Sequence, residues 1–251
     1  MLLHPGMGLD GSVFLPGVER LASTHRLLLV DLPGNGRSPA PESWSYAAFA
    51  RAVEDLARDR GLEDWTLLGH SFGGFIAMQH LVDFPGSASR LIASCTDADE
   101  EPPAGTPEDP FEGLPEDVAS AVRAAFEREA GVTTAEEARQ VWLDQVPFFA
   151  PTAERRAAVR AMLADVVYRP ESMAADDDGE LHALDALAAA DIPVLAIGAE
   201  RDRSIPPTAA RRIAETAPRG ELLMIEGAGH FPFAEDPEAY WGGVGEWLAR
   251  A

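Results

Sequence analysis

The sequence predicts an α/β fold, in which a mostly parallel sheet is flanked by helices and interrupted by one all-helical insertion. Short apolar runs alternate with longer stretches of helical periodicity, which is typical of strand–helix–strand crossovers. Most of these runs are followed at once by a glycine or a polar residue, so loops begin where the strands end. The alternation stops between residues 96 and 190, where the remaining regular patterns are helical.

Five apolar runs are predicted strands. Leu27–Val30 is apolar throughout and closes at Asp31, as expected of a strand buried on both faces. The other four runs are Trp65–Leu68, Leu91–Ala93, Pro193–Ile197 and Leu222–Ile225. Helical patterns outside the insertion cover about Ser45–Arg60, Phe72–Phe84, Pro207–Ala217 and Pro237–Arg250. Because ligands bind at the carboxyl ends of parallel strands, we expect the functional site at that edge.

The insertion opens with a linker rich in proline and acidic residues, Asp97–Pro115, and continues as helices. Thr134 and Glu137 form a capping box that begins a helix running to about Gln145. Helical patterns over Leu114–Ala130 and Thr152–Val167 flank it, and Asp176–Gly179 is predicted as a solvated turn rather than a calcium loop. We therefore expect a core of residues 1–95 and 191–251, and a helical lid of residues 96–190 over the strand ends.

Composition narrows the classes of function. The chain has 251 residues and a formal net charge of −22, so it repels phosphate backbones and anionic membranes. No apolar run approaches the roughly 20 residues of a membrane-spanning helix, and no secretory signal is visible. The single cysteine, Cys95, excludes an internal disulfide. We expect a cytoplasmic protein that acts on a small-molecule substrate, without nucleic acid or membrane partners; the oligomeric state is left open.

The clearest catalytic motif lies in one turn between a predicted strand and a predicted helix. Gly69–Gly73 reads Gly-His-Ser-Phe-Gly there, which is the context that a nucleophile turn requires. The sharp turn holds the Ser71 hydroxyl out at the strand end, and the glycines let strand and helix approach closely. The new helix N-terminus offers N–H groups to a developing oxyanion. The alternative is a serine that only caps the helix.

With this turn, the chain resembles the α/β-hydrolase family over nearly all of its length except the lid. His4–Gly8 is similar to the family's His-Gly loop, although proline stands at position 5 where glycine is usual. Asp31–Ser38 is similar to its Asp-x-Pro-Gly-x-Gly-x-Ser turn, which is structural. The resemblance implies an α/β-hydrolase sheet, and it implies that the backbone N–H groups of Met7 and Phe72 form the oxyanion hole.

A catalytic acid and base are expected in the order Ser, Asp, His. Asp202 follows the strand that ends at Ile197, and His230 follows the last strand, so both share an edge with Ser71. His230 is the predicted base, and Asp202 is predicted to fix its tautomer. Asp97 and Asp99, which follow an earlier strand, remain alternative acids. The sequence has no histidine pair spaced for a metal and no clear phosphate loop, so we expect neither metal nor cofactor.

The resemblance implies a serine hydrolase that forms an acyl-enzyme. Gly229–Phe233 and Glu235–Glu238 look most like proline iminopeptidases, so an aminopeptidase is the leading subclass. The alternatives are a carboxylesterase or lactonase, a C–C hydrolase or lyase, and a slow hydrolase that acts as a ligand-binding receptor.

Two expectations concern the lid, and one concerns the amino end. We expect the lid aromatics Trp142, Phe148 and Phe149 to wall the substrate site. Residues 97–137 hold thirteen acidic residues against two arginines. These acids either keep the lid solvated or include one that faces the site and binds a substrate ammonium; the candidates are Glu127, Glu129, Glu136 and Glu137.

Related hydrolases carry two strands before the His-Gly loop, whereas Met1–Leu3 alone precede it here, so either those strands are lacking or the start lies upstream.

Overall fold

A computed structural model describes residues 1–175 and 180–251. The predicted turn at Asp176–Gly179 lies outside the described residues. The strands are β1 (Leu2–Leu3), β2 (Leu29–Val30), β3 (Thr66–His70), β4 (Arg90–Ser94), β5 (Val194–Ala199) and β6 (Gly220–Ile225). The helices are α1 (Leu15–Val18), α2 (Tyr46–Asp59), α3 (Phe72–Asp83), α4 (Glu116–Glu127), α5 (Ala135–Phe149), α6 (Ala153–Met162), α7 (Pro170–Met173), α8 (Leu184–Ala189), α9 (Pro207–Thr216), α10 (Pro232–Glu235) and α11 (Pro237–Leu248).

The strands form one six-stranded sheet in the order β2-β1-β3-β4-β5-β6, and every neighbouring pair is parallel. The predicted fold class is confirmed. Parallel pairing requires a crossover between consecutive strands, and helices supply most of these crossovers. All six strands therefore end at the same edge, which is where the predicted site residues follow β3, β5 and β6.

Side chains alternate between the two faces of the sheet and feed two apolar cores. Leu2, Leu68, Ile92 and Leu195 pack on one face with aromatic residues of α11, whereas their neighbours Leu3, Leu67, Leu91 and Val194 pack on the other with α2, α3 and α9. Because strand neighbours point to opposite faces, an unbroken apolar run is what a sheet covered on both sides needs. Helices on both faces hold the strand ends, and hence the site, in fixed positions.

The predicted elements differ from the observed ones mainly at their ends. The run Leu27–Val30 supplies only the two-residue strand β2, which lies at the sheet edge next to the equally short β1. Helix α5 begins after the predicted Thr134–Glu137 capping box but continues to Phe149, beyond the predicted end and through Pro147. This extension brings Phe148 and Phe149 onto the helix and toward the strand ends.

The chain between β4 and β5 contains α4–α8 and no strand within its described part. Helices α4 and α5 pack on one another, and α6 packs on α10 next to the sheet's carboxyl edge. Across residues 1–175 and 180–251, no helix is long and apolar enough to cross a membrane. The same residues contain no group of three or more His, Cys, Asp or Glu side chains placed to hold a metal ion.

Candidate active site

Ser71 occupies a strained turn between β3 and α3. Its φ of 52° and ψ of −119° lie in a region that side chains rarely adopt, and it is one of two non-glycine residues with positive φ in the described chain. Three glycines make the turn possible. A Cβ at Gly69 would lie 2.2 Å from the Gly73 carbonyl oxygen, and one at Gly74 would lie 2.4 Å from Thr96. The strain and the close approach hold the serine hydroxyl clear of the helix.

His230 and Asp202 complete a hydrogen-bonded line with Ser71. The Ser71 hydroxyl lies 2.9 Å from His230 Nε2, and His230 Nδ1 lies 2.8 Å from Asp202 Oδ2. An ionised carboxylate only accepts, so the hydrogen is on Nδ1, and Nε2 is free to accept the serine proton. Asp202 Oδ1 accepts from the Ser204 and Ile205 N–H groups at 2.9 and 3.0 Å. The structure therefore brings the three predicted residues together in the order of a nucleophile, base and acid.

The two alternative acids are engaged elsewhere. Asp97 accepts from the Arg212 guanidinium and from the Ala98 N–H, and burial raises its pKa. Asp99 lies 3.5 Å from His182 Nδ1 and forms an isolated bridge with that residue. Neither carboxylate contacts His230, so the geometry favours Asp202 as the acid.

The loop that carries His230 is held by its backbone. Glu235 accepts from the N–H groups on both sides of the histidine, Gly229 at 2.8 Å and Phe231 at 3.0 Å. The His230 N–H itself donates to the Phe149 carbonyl at the end of α5, at 2.8 Å. Burial raises the pKa of Glu235, whereas the two N–H donors lower it. Sequence reasoning missed Glu235 as a support of this loop, because nothing local shows that a carboxylate five residues on folds back.

A buried histidine shapes the predicted oxyanion loop. The Leu32 N–H donates to His4 Nε2 at 3.1 Å, so His4 Nδ1 carries the hydrogen and donates to the Pro5 carbonyl at 2.9 Å. Burial lowers the pKa of His4, which keeps the ring neutral in this role. Within the described chain, neither the Met7 N–H nor the Phe72 N–H has a hydrogen-bond acceptor. Both groups are available for a ligand, as the oxyanion assignment needs.

Ser71 and His230 open into a cavity of about 270 Å³, which we call the serine cavity. Its lining is mostly apolar and combines the oxyanion loop with the lid. The lining residues are Pro5, Gly6, Met7, Ser71, Phe126, Glu129, Trp142, Phe149, Met173, Ala175, Ser204, His230 and Phe231. The predicted wall residues Trp142 and Phe149 are among them, whereas Phe126, Met173 and Ser204 were not foreseen. A small organic substrate fits a space of this size.

Phe148 is placed differently from the expectation. Its ring packs on Phe111 and Phe126 at 5.0 and 5.4 Å and lines a separate open groove instead of the serine cavity. Consecutive residues of a helix point about 100° apart, so Phe148 and Phe149 cannot both face the cavity from one helix. Phe149 faces it and stacks on the His230 ring at 5.5 Å.

One of the four candidate lid carboxylates faces the serine cavity. Glu129, in a short turn after α4, lines it and is partly buried. Glu127, Glu136 and Glu137 are exposed, and Glu137 accepts from the Thr133 and Thr134 N–H groups as part of the capping box. Most of the lid's acidic surface is therefore solvated, with Glu129 as the exception.

His70, next to the nucleophile, lies behind the site. It is fully buried, its Nδ1 lies 2.9 Å from Ser94 Oγ, and its ring packs 5.2 Å from that of His230. Burial holds the pKa of His70 well below its ordinary value. The His70 ring packs against the His230 ring and does not line the serine cavity.

Comparison with known proteins identifies the family of the chain. A family model described as alpha/beta hydrolase fold matches residues 1–237. A pimeloyl-[acyl-carrier protein] methyl ester esterase of Edwardsiella ictaluri is 32% identical over 250 residues, which cover 96% of this chain and 89% of the relative. The enzyme of that name from Xanthomonas campestris is 29% identical over 242 residues, with 93% and 88% covered. The crystal structure of an esterase from Rhodococcus sp. superposes with a TM-score of 0.78 at 22% identity, covering 99% of this chain and 90% of that one.

The chain belongs to the alpha/beta hydrolase fold family, as its sequence motifs predicted. It is an enzyme of the hydrolase class. The expected resemblance to proline iminopeptidases in particular has no support from these relatives, which are named as esterases.

Proposed function

We propose that this enzyme is a serine esterase that hydrolyses small carboxylic esters through an acyl-enzyme. The observation that carries the proposal is the continuous Ser71–His230–Asp202 hydrogen-bond line, which opens into the serine cavity. The esterases among its relatives support ester rather than peptide hydrolysis, so the aminopeptidase subclass gives way to the carboxylesterase alternative.

The geometry supports a two-step reaction. His230 Nε2 takes the proton of Ser71 as the oxygen attacks the ester carbonyl, and the free N–H groups of Met7 and Phe72 receive the developing oxyanion. The imidazolium then gives its proton to the departing alcohol. Water attacks the acyl-enzyme with His230 again as the base, which releases the carboxylic acid and restores Ser71. Asp202, fixed by two backbone N–H groups, orients the ring and stabilises its charge in both steps.

The apolar lining favours a neutral ester of limited size. Phe126, Trp142 and Phe149 supply aromatic walls, and the volume of about 270 Å³ is slightly below the roughly 300–1,000 Å³ that is usual for ligand sites. We therefore propose that the substrate is a free small-molecule ester and that its hydrolysis uses no metal or cofactor.

The test compares esters with a peptide-like amide. We expect turnover of p-nitrophenyl butyrate and little or none of proline p-nitroanilide. Ser71→Ala should lower kcat by at least about a thousandfold, since loss of a triad member costs several orders of magnitude. The exposed loop variant Ser43→Ala is the matched control and should keep full activity. A fluorophosphonate should label the wild type at Ser71. Preferred cleavage of the amide, or labelling that persists in Ser71→Ala, would overturn the proposal.

A further inference from the structure

The turn that follows β2 is hydrogen-bonded to the oxyanion loop, His4–Gly8, at both ends of that loop. At the first residue of the loop, the Leu32 N–H donates to His4 Nε2 at 3.1 Å. At the last residue, the Gly8 N–H donates to Asn35 Oδ1 at 2.8 Å. Neither step of the proposed reaction uses a side chain of this turn, yet the turn holds the loop that carries one predicted oxyanion donor.

Asn35 is fully buried, and hydrogen bonds fix its amide in one orientation. Its Nδ2 donates to the Pro33 carbonyl at 3.0 Å, so the amide oxygen is the atom that faces Gly8. The Ser172 hydroxyl of α7 donates to the same oxygen at 2.7 Å. A buried amide needs partners for both its oxygen and its nitrogen, and Asn35 has them. Asn35 therefore presents a fixed acceptor to the oxyanion loop.

The peptide group that carries the Met7 N–H lies between two peptide groups that are held in place. Before it, the Pro5 carbonyl accepts from His4 Nδ1 at 2.9 Å; after it, the Gly8 N–H is held by Asn35. Each peptide group is planar, so only the φ and ψ angles between these two anchors set the direction of the Met7 N–H. Gly8 has a φ of 87°, a conformation that a glycine also leaves easily because no side chain confines it. The bond to Asn35 therefore fixes a part of the loop that its own sequence leaves flexible.

An oxyanion hole is most effective when its donors already point at the oxyanion before the charge appears. The Phe72 N–H is directed by α3, which begins at that residue, whereas the Met7 N–H belongs to a loop. We propose that Asn35 is a positioning residue for the oxyanion hole: it holds Gly8 so that the Met7 N–H points at the developing oxyanion. The inference rests on the proposed serine esterase activity.

The experiment compares the wild type with Asn35→Ala, in which the Gly8 N–H keeps only the Ser172 hydroxyl oxygen, at 3.3 Å. For p-nitrophenyl butyrate, kcat should fall by about 10- to 100-fold with little change in KM. The reason is that complete loss of one oxyanion donor costs about 100- to 1,000-fold, and a misdirected donor loses part of that. Active sites are titrated with a fluorophosphonate, and melting temperatures verify that each variant is folded.

A trifluoromethyl ketone inhibitor separates positioning from stability. Its adduct with Ser71 carries an oxyanion, so its inhibition constant should rise by the same factor as kcat falls. A role in stability alone would lower Tm and the number of active sites but leave this constant unchanged. Ser38→Ala is the matched control, because it removes a 2.7 Å hydrogen bond to the Asp31 carbonyl in the same turn without touching the oxyanion loop. This control should keep the wild-type kcat and inhibition constant.

The remaining outcomes also decide the question. A folded Asn35→Ala enzyme whose kcat and inhibition constant stay within about twofold of the wild type would overturn the inference. If Asn35→Ala does not fold, Ser172→Ala takes its place, because it removes the hydroxyl that orients Asn35; parallel changes in both constants support the inference, and wild-type values overturn it.

Absence of ester turnover by the wild type would count against the esterase proposal alone. The rate of fluorophosphonate labelling of Ser71 then tests the inference, since the phosphonyl oxygen gains charge in the same oxyanion hole. Slower labelling of Asn35→Ala supports the inference, and equal rates overturn it. Absence of labelling in the wild type would overturn both proposals.

Discussion

Glu235 offers a sharp test of how the His230 loop is held. The carboxylate accepts from the N–H groups of Gly229 and Phe231, one with each oxygen. In Glu235→Gln, one oxygen still accepts, but the amide nitrogen faces an N–H donor and leaves it unpaired. Loss of one hydrogen bond to a charged group costs about 1.5–3 kcal/mol. For a chain of this size, each kcal/mol corresponds to roughly 2–4 °C in Tm, so we expect Tm to fall by several degrees.

The effect on catalysis separates positioning from mere stability. A displacement of about 1 Å at a catalytic group costs on the order of a hundredfold in rate, so kcat should fall by about 10- to 100-fold with little change in KM. The assay is p-nitrophenyl butyrate hydrolysis well below the Tm of the variant. Glu238→Gln, an exposed carboxylate on the next turn, serves as the control. If Tm falls but kcat stays within twofold of the wild type, Glu235 only stabilises the fold and the reasoning is wrong.

Three further predictions concern the same edge of the sheet. Asp202→Asn should lower kcat far more than Asp97→Asn, because only Asp202 contacts His230; equal losses in steady-state assays would reopen the choice of acid. Gly229→Ala should raise KM and lower Tm, because the new Cβ would lie 2.0 Å from the Phe149 carbonyl oxygen and force the end of α5 away. Wild-type values of both KM and Tm would contradict this close contact. Cys95 should resist iodoacetamide in the folded protein at pH 8 and react on unfolding, because burial and the nearby Asp202 carboxylate raise the pKa of its thiol. Mass spectrometry detects the adduct, and rapid labelling of the native protein would refute this prediction.

The sequence predicted the site best where the position of a catalytic residue depends on its own local backbone. Gly69–Gly73 predicts the turn because only small flanking residues permit the positive φ of Ser71 and its close neighbours. The strand ends place Asp202 and His230 at the correct edge, since parallel strands share one direction. The lid was harder to predict. Whether Glu129 or Glu127 faces the cavity, and whether Phe149 or Phe148 does, depends on how α4 and α5 are rotated, and rotation is set by tertiary packing rather than by local pattern.

The lid touches both halves of the catalytic apparatus, so it is more than a cover. At one end, the Phe149 carbonyl receives the His230 N–H. At the other, the Ser172 hydroxyl donates to Asn35 Oδ1 at 2.7 Å, and the same oxygen accepts from the Gly8 N–H at 2.8 Å, next to the predicted oxyanion donor Met7. A shift of the lid therefore moves the base and the oxyanion loop together. Because Glu129, Trp142 and Phe149 in the lining of the serine cavity also belong to the lid, the packing of the lid shapes that cavity as well.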